Sequence, residues 1–115
     1  MTMQYSKLFE PVALVLTTVT TIFTVPATPS TTLLRGGIVR ITNTTAAAAV
    51  ATLYAVPLAG TAGVTNAFLS NKSIPPNDYI DLQVPQMKAG DFVQGFAGTA
   101  AALNIQAIGG SYYSA

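Results

Sequence analysis

The 115 residues include no cysteine, no histidine and no tryptophan. Without cysteine there is no disulfide framework, no thiolate nucleophile and no cysteine-ligated zinc or iron–sulfur site. The missing histidine removes the side chain that most often acts as general base near neutral pH, and with it the Ser-His-Asp and Cys-His constellations. Charge is scarce as well. Five basic and four acidic side chains make up 8% of the chain and leave a net charge of +1, where an ordinary soluble domain is roughly 25% charged. A monomer of this size exposes about 6,000 Å², or roughly one charge per 650 Å². So thinly charged an exterior suits a chain that is partly covered by other protein. The Lys and Arg residues do not cluster, which excludes the electrostatic footprint of a nucleic-acid binder.

Long apolar runs are missing too. The most apolar segment, residues 12–25, is interrupted by threonines and falls short of the roughly 20 residues that a membrane helix needs. Lys7 before it and Ala27 after it resemble the flanks of a leader peptide, but Glu10, Pro11 and the threonines dilute that pattern. Val, Ile, Phe and Thr are at ease on a pleated surface and disfavoured in helices, so the expectation here is one or two β-strands. Half the residues are hydrophobic, enough for one packed domain. Residues 1–10 read as an N-terminal arm and residues 11–115 as a single β-sandwich domain.

Pro, Gly and Asn clusters punctuate short alternating runs along the rest of the chain. Pro26 and Pro29 close the first β region. A strand is predicted over Thr32–Asn43, bent or bulged at Gly36-Gly37, with Val39 and Ile41 facing the core and Arg40 and Thr42 facing out. Asn43 to Ala47 reads as a turn, and Ala48–Val56 as the next strand. Val64–Leu69 is predicted as a short edge strand, with a break over Ser70–Ser73 and a Pro-Pro-Asn-Asp turn after Ile74. Ile80, Leu82 and Val84 alternate with Tyr79, Asp81 and Gln83 until Pro85. Phe92–Phe96, a turn over Gly98–Ala101, an alternating run over Leu103–Ala107, a bulge at Gly109-Gly110 and a final run at Tyr112-Tyr113 complete the pattern. About eight short strands and no amphipathic helix predict an all-β fold, an antiparallel β-sandwich of jelly-roll-like topology.

Catalytic chemistry finds little material. The carboxylates Glu10, Asp78, Asp81 and Asp91 offer no paired arrangement, since Asp78 and Asp81 lie three apart in an extended segment and point to opposite faces. They read as turn-capping and solvated groups, and no enzymatic role is expected. A calcium site from Asn77, Asp78, Asp81 and Asp91 lacks the spacing of a known loop. No phosphate-binding or dinucleotide fingerprint is present, so no cofactor is expected. The triplets Asn43-Thr44-Thr45 and Asn71-Lys72-Ser73 fit a glycosylation pattern that is frequent by chance.

Candidate contacts with a partner are easier to name. Arg35 and Arg40 read either as anchors for a partner's carboxylates or as members of a solvated strand face. Tyr5, Leu8 and Phe9 near one end, and Tyr112 and Tyr113 near the other, are large apolar groups where chains usually fray, as in interaction arms.

The stretches Ile22–Pro26, Leu34-Arg35, Ile38–Thr45 and Val50–Tyr54, with Ile74–Asp78, Ala89–Asp91 and Ala100–Ile105 later, resemble small virion proteins of tailed bacteriophages. The likeness runs from about Ile22 to Gly109 and departs at Gly36-Gly37 and in the added hydrophobic N-terminal segment. It implies a capsid decoration or cement protein on the virion surface that binds the major capsid protein or other virion proteins. It further implies a homo-oligomer, a trimer by analogy, with neither nucleic acid nor membrane as partner. The same resemblance admits a neck, tail or fibre component. A host-surface or glycan-binding module would instead use Tyr5, Tyr54, Tyr79, Tyr112 or Tyr113 as stacking platforms.

Overall fold

The computed structural model describes residues 2–4, 8–15, 17–28, 30–98 and 103–114. All regular structure among them is β. The strands are β1 (Thr2–Gln4), β2 (Val12–Ala13), β3 (Thr20–Thr24), β4 (Leu33–Asn43), β5 (Ala49–Val56), β6 (Ala67–Ile74), β7 (Tyr79–Gln83), β8 (Met87–Lys88), β9 (Phe92–Ala97) and β10 (Leu103–Ser114). One sheet has β10 and β4 at its centre. Both β1 and β2 pair with the outer side of β10, and β7 and β8 with the outer side of β4. The other sheet runs β3-β9-β5-β6. Every ladder is antiparallel.

The pairing has a simple generator. From the β5–β6 hairpin outward, β4 pairs with β7 and β8, β3 with β9, and β2 and β1 with β10, so the chain is one long hairpin. Two further ladders, β4–β10 and β5–β9, join its arms after it has rolled up. A rolled hairpin of two four-position sheets is a jelly roll. Ten strands fill eight positions because two columns are interrupted; Pro85, which cannot donate to a ladder, separates β7 from β8.

The core lies between the sheets and includes Leu14, Val25, Leu34, Val39, Ile41, Leu53, Ile74, Val93, Leu103 and Ile105, each no more than 1% exposed. Val39 and Ile41 sit where the alternation places them. Leu34 is also buried, although it lies an odd number of positions before Val39. A regular strand would turn it outward. The change of parity falls at Gly36-Gly37, where Gly36 has φ +67°. On the facing strand Gly110 has φ +105°, and the register slips on both sides of Gly109. The two glycine pairs meet: a Cβ on Gly110 would lie 2.6 Å from Gly37 Cα.

Several expectations change. The run Val12–Val25 is two strands, but in opposite sheets, with Leu14 N donating to Leu103 O and Ala97 N to Val15 O as the chain crosses over. The edge strand expected at Val64–Leu69 is Ala67–Ile74 instead, and Val64 is 93% exposed in the preceding loop. Ser70–Ser73, read as a break, is held in place by β5, and Asn71 at φ +49° absorbs the irregularity of that ladder. Ladder bonding here overrides weak strand propensity. The runs at Leu103–Ala107 and Tyr112-Tyr113 are one strand bent at its glycines. The turn expected at Gly98–Ala101 lies largely outside the described residues.

Residues 1–10 are not a separate arm over their described part. β1 pairs with the end of β10, Leu8 is 6% exposed within the core, and Phe9 stacks on Phe23 with ring centroids 4.8 Å apart. Burial of Leu8 and the stacked rings ties this segment to the sandwich.

The facing glycines carry a testable asymmetry. Gly36→Ala meets open space and only the left-handed backbone penalty, so it is expected to cost about 1 kcal/mol. Gly110→Ala adds a backbone collision and is expected to cost at least about 2 kcal/mol. Urea unfolding of the two variants checks the order; equal losses would refute the facing-bulge account.

Candidate interaction surface

Arg40 and Asp81 are register partners on β4 and β7. Their side chains meet on the outer face of the first sheet. Arg40 Nε donates to Asp81 Oδ1 at 2.7 Å and its Nη2 to Oδ2 at 3.0 Å, a bidentate pair. The guanidinium also lies 4.2 Å from the centroid of the Tyr79 ring. The hydrogen-bonded pair holds the Asp81 carboxyl below the usual carboxylate range and raises Arg40. Arg40 is therefore occupied within its own sheet.

Arg35 differs. It lies exposed beside the Gly36-Gly37 bulge, 5.6 Å from the centroid of the Tyr113 ring, and has no carboxylate partner among the described residues. It borders a shallow groove of about 320 Å³, lined also by Leu34, Gly36, Gly37, Gln83, Val84 and Gln86. Arg35 is the one charged group of that lining. Such a groove can accept a carboxylate from a partner through guanidinium and amide donors.

The other predicted contacts scatter. Tyr112 is 4% exposed, and its hydroxyl donates to Leu8 O at 2.8 Å, so both residues hold the interior together and offer no surface. Phe9 packs against the core. Tyr113 is half-buried beneath Arg35, and Tyr5 lies outside the described residues. Among the described residues the tyrosines do not gather into one platform: Tyr79 and Tyr113 sit near opposite ends of β4, beside Thr42 and Leu33. Tyr54 is on the other sheet, packed on Phe96. The calcium candidates separate as well. Asp78 Oδ1 accepts from Tyr79 N at one end of the sandwich, while the Asp91 carboxylate accepts from Leu58 N and Lys88 N at the other. No group of three or more metal-binding side chains converges among the described residues.

One surface escaped the sequence reading. On β9, Val93 and Ala97 enter the core, so Phe92, Gln94 and Phe96 alternate outward and are half-buried. On β5, Tyr54 faces the same way, its ring 6.4 Å from that of Phe96 and inclined by 27°. Gln94 Nε2 donates to Thr21 Oγ1 of β3 at 3.0 Å. Val19, just before β3, is 41% exposed. The only charged residue in the four strands of this sheet is Lys72, on the edge strand β6. The available signal was the Phe-x-Gln-x-Phe spacing of residues 92–96, where alternation around a buried Val93 puts both rings outside.

Comparison with protein-family models, with curated proteins and with solved structures finds no match for this chain.

Burial pushes the Tyr112 hydroxyl up to about 12. The neutral form is favoured in the folded state, so its contribution is complete below the unfolded tyrosine value of about 10 and is lost as pH rises from there toward 12. Tyr112→Phe is expected to cost about 1–2 kcal/mol at neutral pH, because Leu8 O loses its donor. It should also flatten the decline in stability above pH 10. Denaturant unfolding at pH 7 and between pH 9 and 11.5 checks both, and an unchanged alkaline slope would refute the assignment.

Proposed function

We propose that this chain is a structural virion protein of the capsid decoration type, which binds the major capsid protein at the virion surface and works as a homo-oligomer. The observation that carries the reading is the distribution of charge on the folded exterior. Nine charged side chains serve a surface of 6018 Å². One pair, Arg40 and Asp81, neutralises itself, and the outer face of β3-β9-β5-β6 has none except at its edge. Surfaces of this kind are suited to burial against other protein. Jelly rolls recur in viral capsid and lectin domains, which supports the reading by analogy alone.

The mechanism needs no bond-making chemistry. A protein that binds only the assembled shell adds its binding free energy to shell stability by mass action. Many copies on a symmetric lattice add avidity. In this scheme Arg35 anchors a carboxylate of the neighbour, while Arg40 keeps Asp81. A neck, tail or fibre component would use the same surfaces in few copies.

Cryo-electron microscopy of intact particles tests the proposal through position and copy number. Hundreds of ordered copies at capsomer junctions are expected; a few copies at the tail would transfer the chain to the neck, tail or fibre class, and absence from particles would overturn the reading. Arg35→Ala should weaken attachment about 10- to 100-fold, the range of an interfacial arginine anchor. Arg40→Gln should change it by less than about threefold, as expected of an exposed pair. Titration of stripped particles with labelled protein checks this contrast. Deleting residues 1–10 is a poorer test, since it removes β1 and the buried Leu8 and so disturbs folding first.

A further inference from the structure

We infer that the outer face of the β3-β9-β5-β6 sheet is a self-association surface whose occupant is the same face of a second copy, related by a two-fold axis. The inference deepens the homo-oligomer element of the proposed function and rests on it only for the expectation that copies associate.

Three observations converge on this occupant. The face is apolar at its centre, where Tyr54 and Phe96 stack and Phe92 flanks them, and exposed Val19 stands at its border. Its interior positions carry no charge. A like copy laid upon it therefore meets no like-charge repulsion, and a charged partner gains nothing there. Its polar groups include Thr21, Thr24 and Gln94; Thr21 and Gln94 already bond each other, but hydroxyl and amide keep further donor and acceptor capacity for their own equivalents. An isologous contact requires that self-complementarity. The opposite sheet, with Arg40 and Asp81 on its outer face, lacks a comparable uncharged centre.

Area sets the strength. Strands β5 and β6 have eight residues each, β9 six and β3 five, which at about 3.3 Å per residue and about 4.8 Å between strands makes a face of roughly 430 Å². A pair then buries under about 900 Å², below the ~1,000 Å² that a stable specific interface clears. The dimer is thus expected to be weak in free solution, forming in the micromolar range and above, and to be reinforced where copies are concentrated on a particle.

The test uses the isolated full chain, so that it does not depend on where the protein sits in a virion. Sedimentation velocity from about 5 to 500 µM should show a reversible shift from monomer to dimer, the weak range an interface this small allows. Gln94→Lys, which brings two like charges together across the axis, should raise the dissociation constant at least tenfold. Gln106→Lys, on the outer face of the other sheet, should leave it unchanged. Thr21→Lys, at an exposed position of the same face, replaces Gln94→Lys if circular dichroism shows that variant to be unfolded. A chain that stays monomeric to 500 µM, a trimer, or a dimer indifferent to both β3-β9-β5-β6 variants would overturn the inference. If the chain is monomeric yet Gln94→Lys lowers its occupancy on particles, the face belongs to an unlike virion partner, which overturns the inference and the homo-oligomer element while leaving attachment to the virion standing.

Discussion

The β4–β10 ladder is the constraint on which the rest of the sandwich depends. It joins Asn43 to Leu103 and Leu33 to Tyr113, partners 60 and 80 residues apart in the chain. It turns a long hairpin into a closed roll. With it in place, β10 presents its other side to β2 and β1, and β4 presents its other side to β7 and β8. Closure at such separation pays loop entropy before any local contact offsets it, which makes this a slow-folding topology. The ladder is also where the two glycine pairs bend both strands together. Because the bend changes the parity of β4, one strand can bury Leu34 at one end and Val39 and Ile41 at the other. The sandwich can curve without losing its core.

Neither end of the sandwich has a disulfide, and each is tied instead by one polar side chain bonded to several backbone segments. At one end Asn43 is fully buried. Its amide nitrogen donates to Ala47 O at 2.8 Å and Ile74 O at 3.1 Å, with Pro75 O at 3.2 Å, and its oxygen accepts from Thr45 N and Oγ1. The β4–β5 and β6–β7 loops are thereby locked together. At the other end the Asp91 carboxylate accepts from Leu58 N and Lys88 N, and its backbone carbonyl accepts from Val25 N. Satisfied networks of this kind are stabilising because every donor has an acceptor; half of one would be costly. The same logic explains why the few acidic residues do not gather into a metal site. Asp78, Asp81 and Asp91 are each committed to separate local tasks.

How legible this was in the sequence follows from the range of the forces involved. Alternation located β4, β5, β7 and β9 closely, and the facing directions of Val39, Ile41, Ile80 and Leu82 with them, because a half-buried strand records its burial in every second residue. Turn chemistry found Pro75–Asp78 and the glycine bulges for a similarly local reason. The edge strand β6 was misplaced because its polar Ser70–Ser73 stretch is held by pairing with β5, which leaves no period in the residues themselves. Leu8 and Tyr112 read as surface arms because each lies near a chain end. Their burial comes from core packing formed only in the folded sandwich, with a hydrogen bond between residues 104 positions apart. Arg35 and Arg40 were indistinguishable for the same reason: only register with Asp81 separates the occupied one from the available one.

That distinction bears on what an exterior with so little charge can do. An arginine already held by a carboxylate and an aromatic ring must lose those contacts before it can serve a partner, and the exchange leaves little net gain. Among the described residues Arg35 meets the Tyr113 ring at 5.6 Å and no carboxylate, so a neighbour's carboxylate would add an interaction without displacing an ion pair among them. The uncharged face of the other sheet works by the complementary principle: nothing ionic has to be desolvated when it is covered. The two surfaces lie on different sheets, so a single molecule can present both at once. On the proposed reading, the Arg35 anchor would give register and the apolar face area; separate surfaces would let a copy bridge two neighbours, since one that used both on the same neighbour would close the assembly instead of extending it.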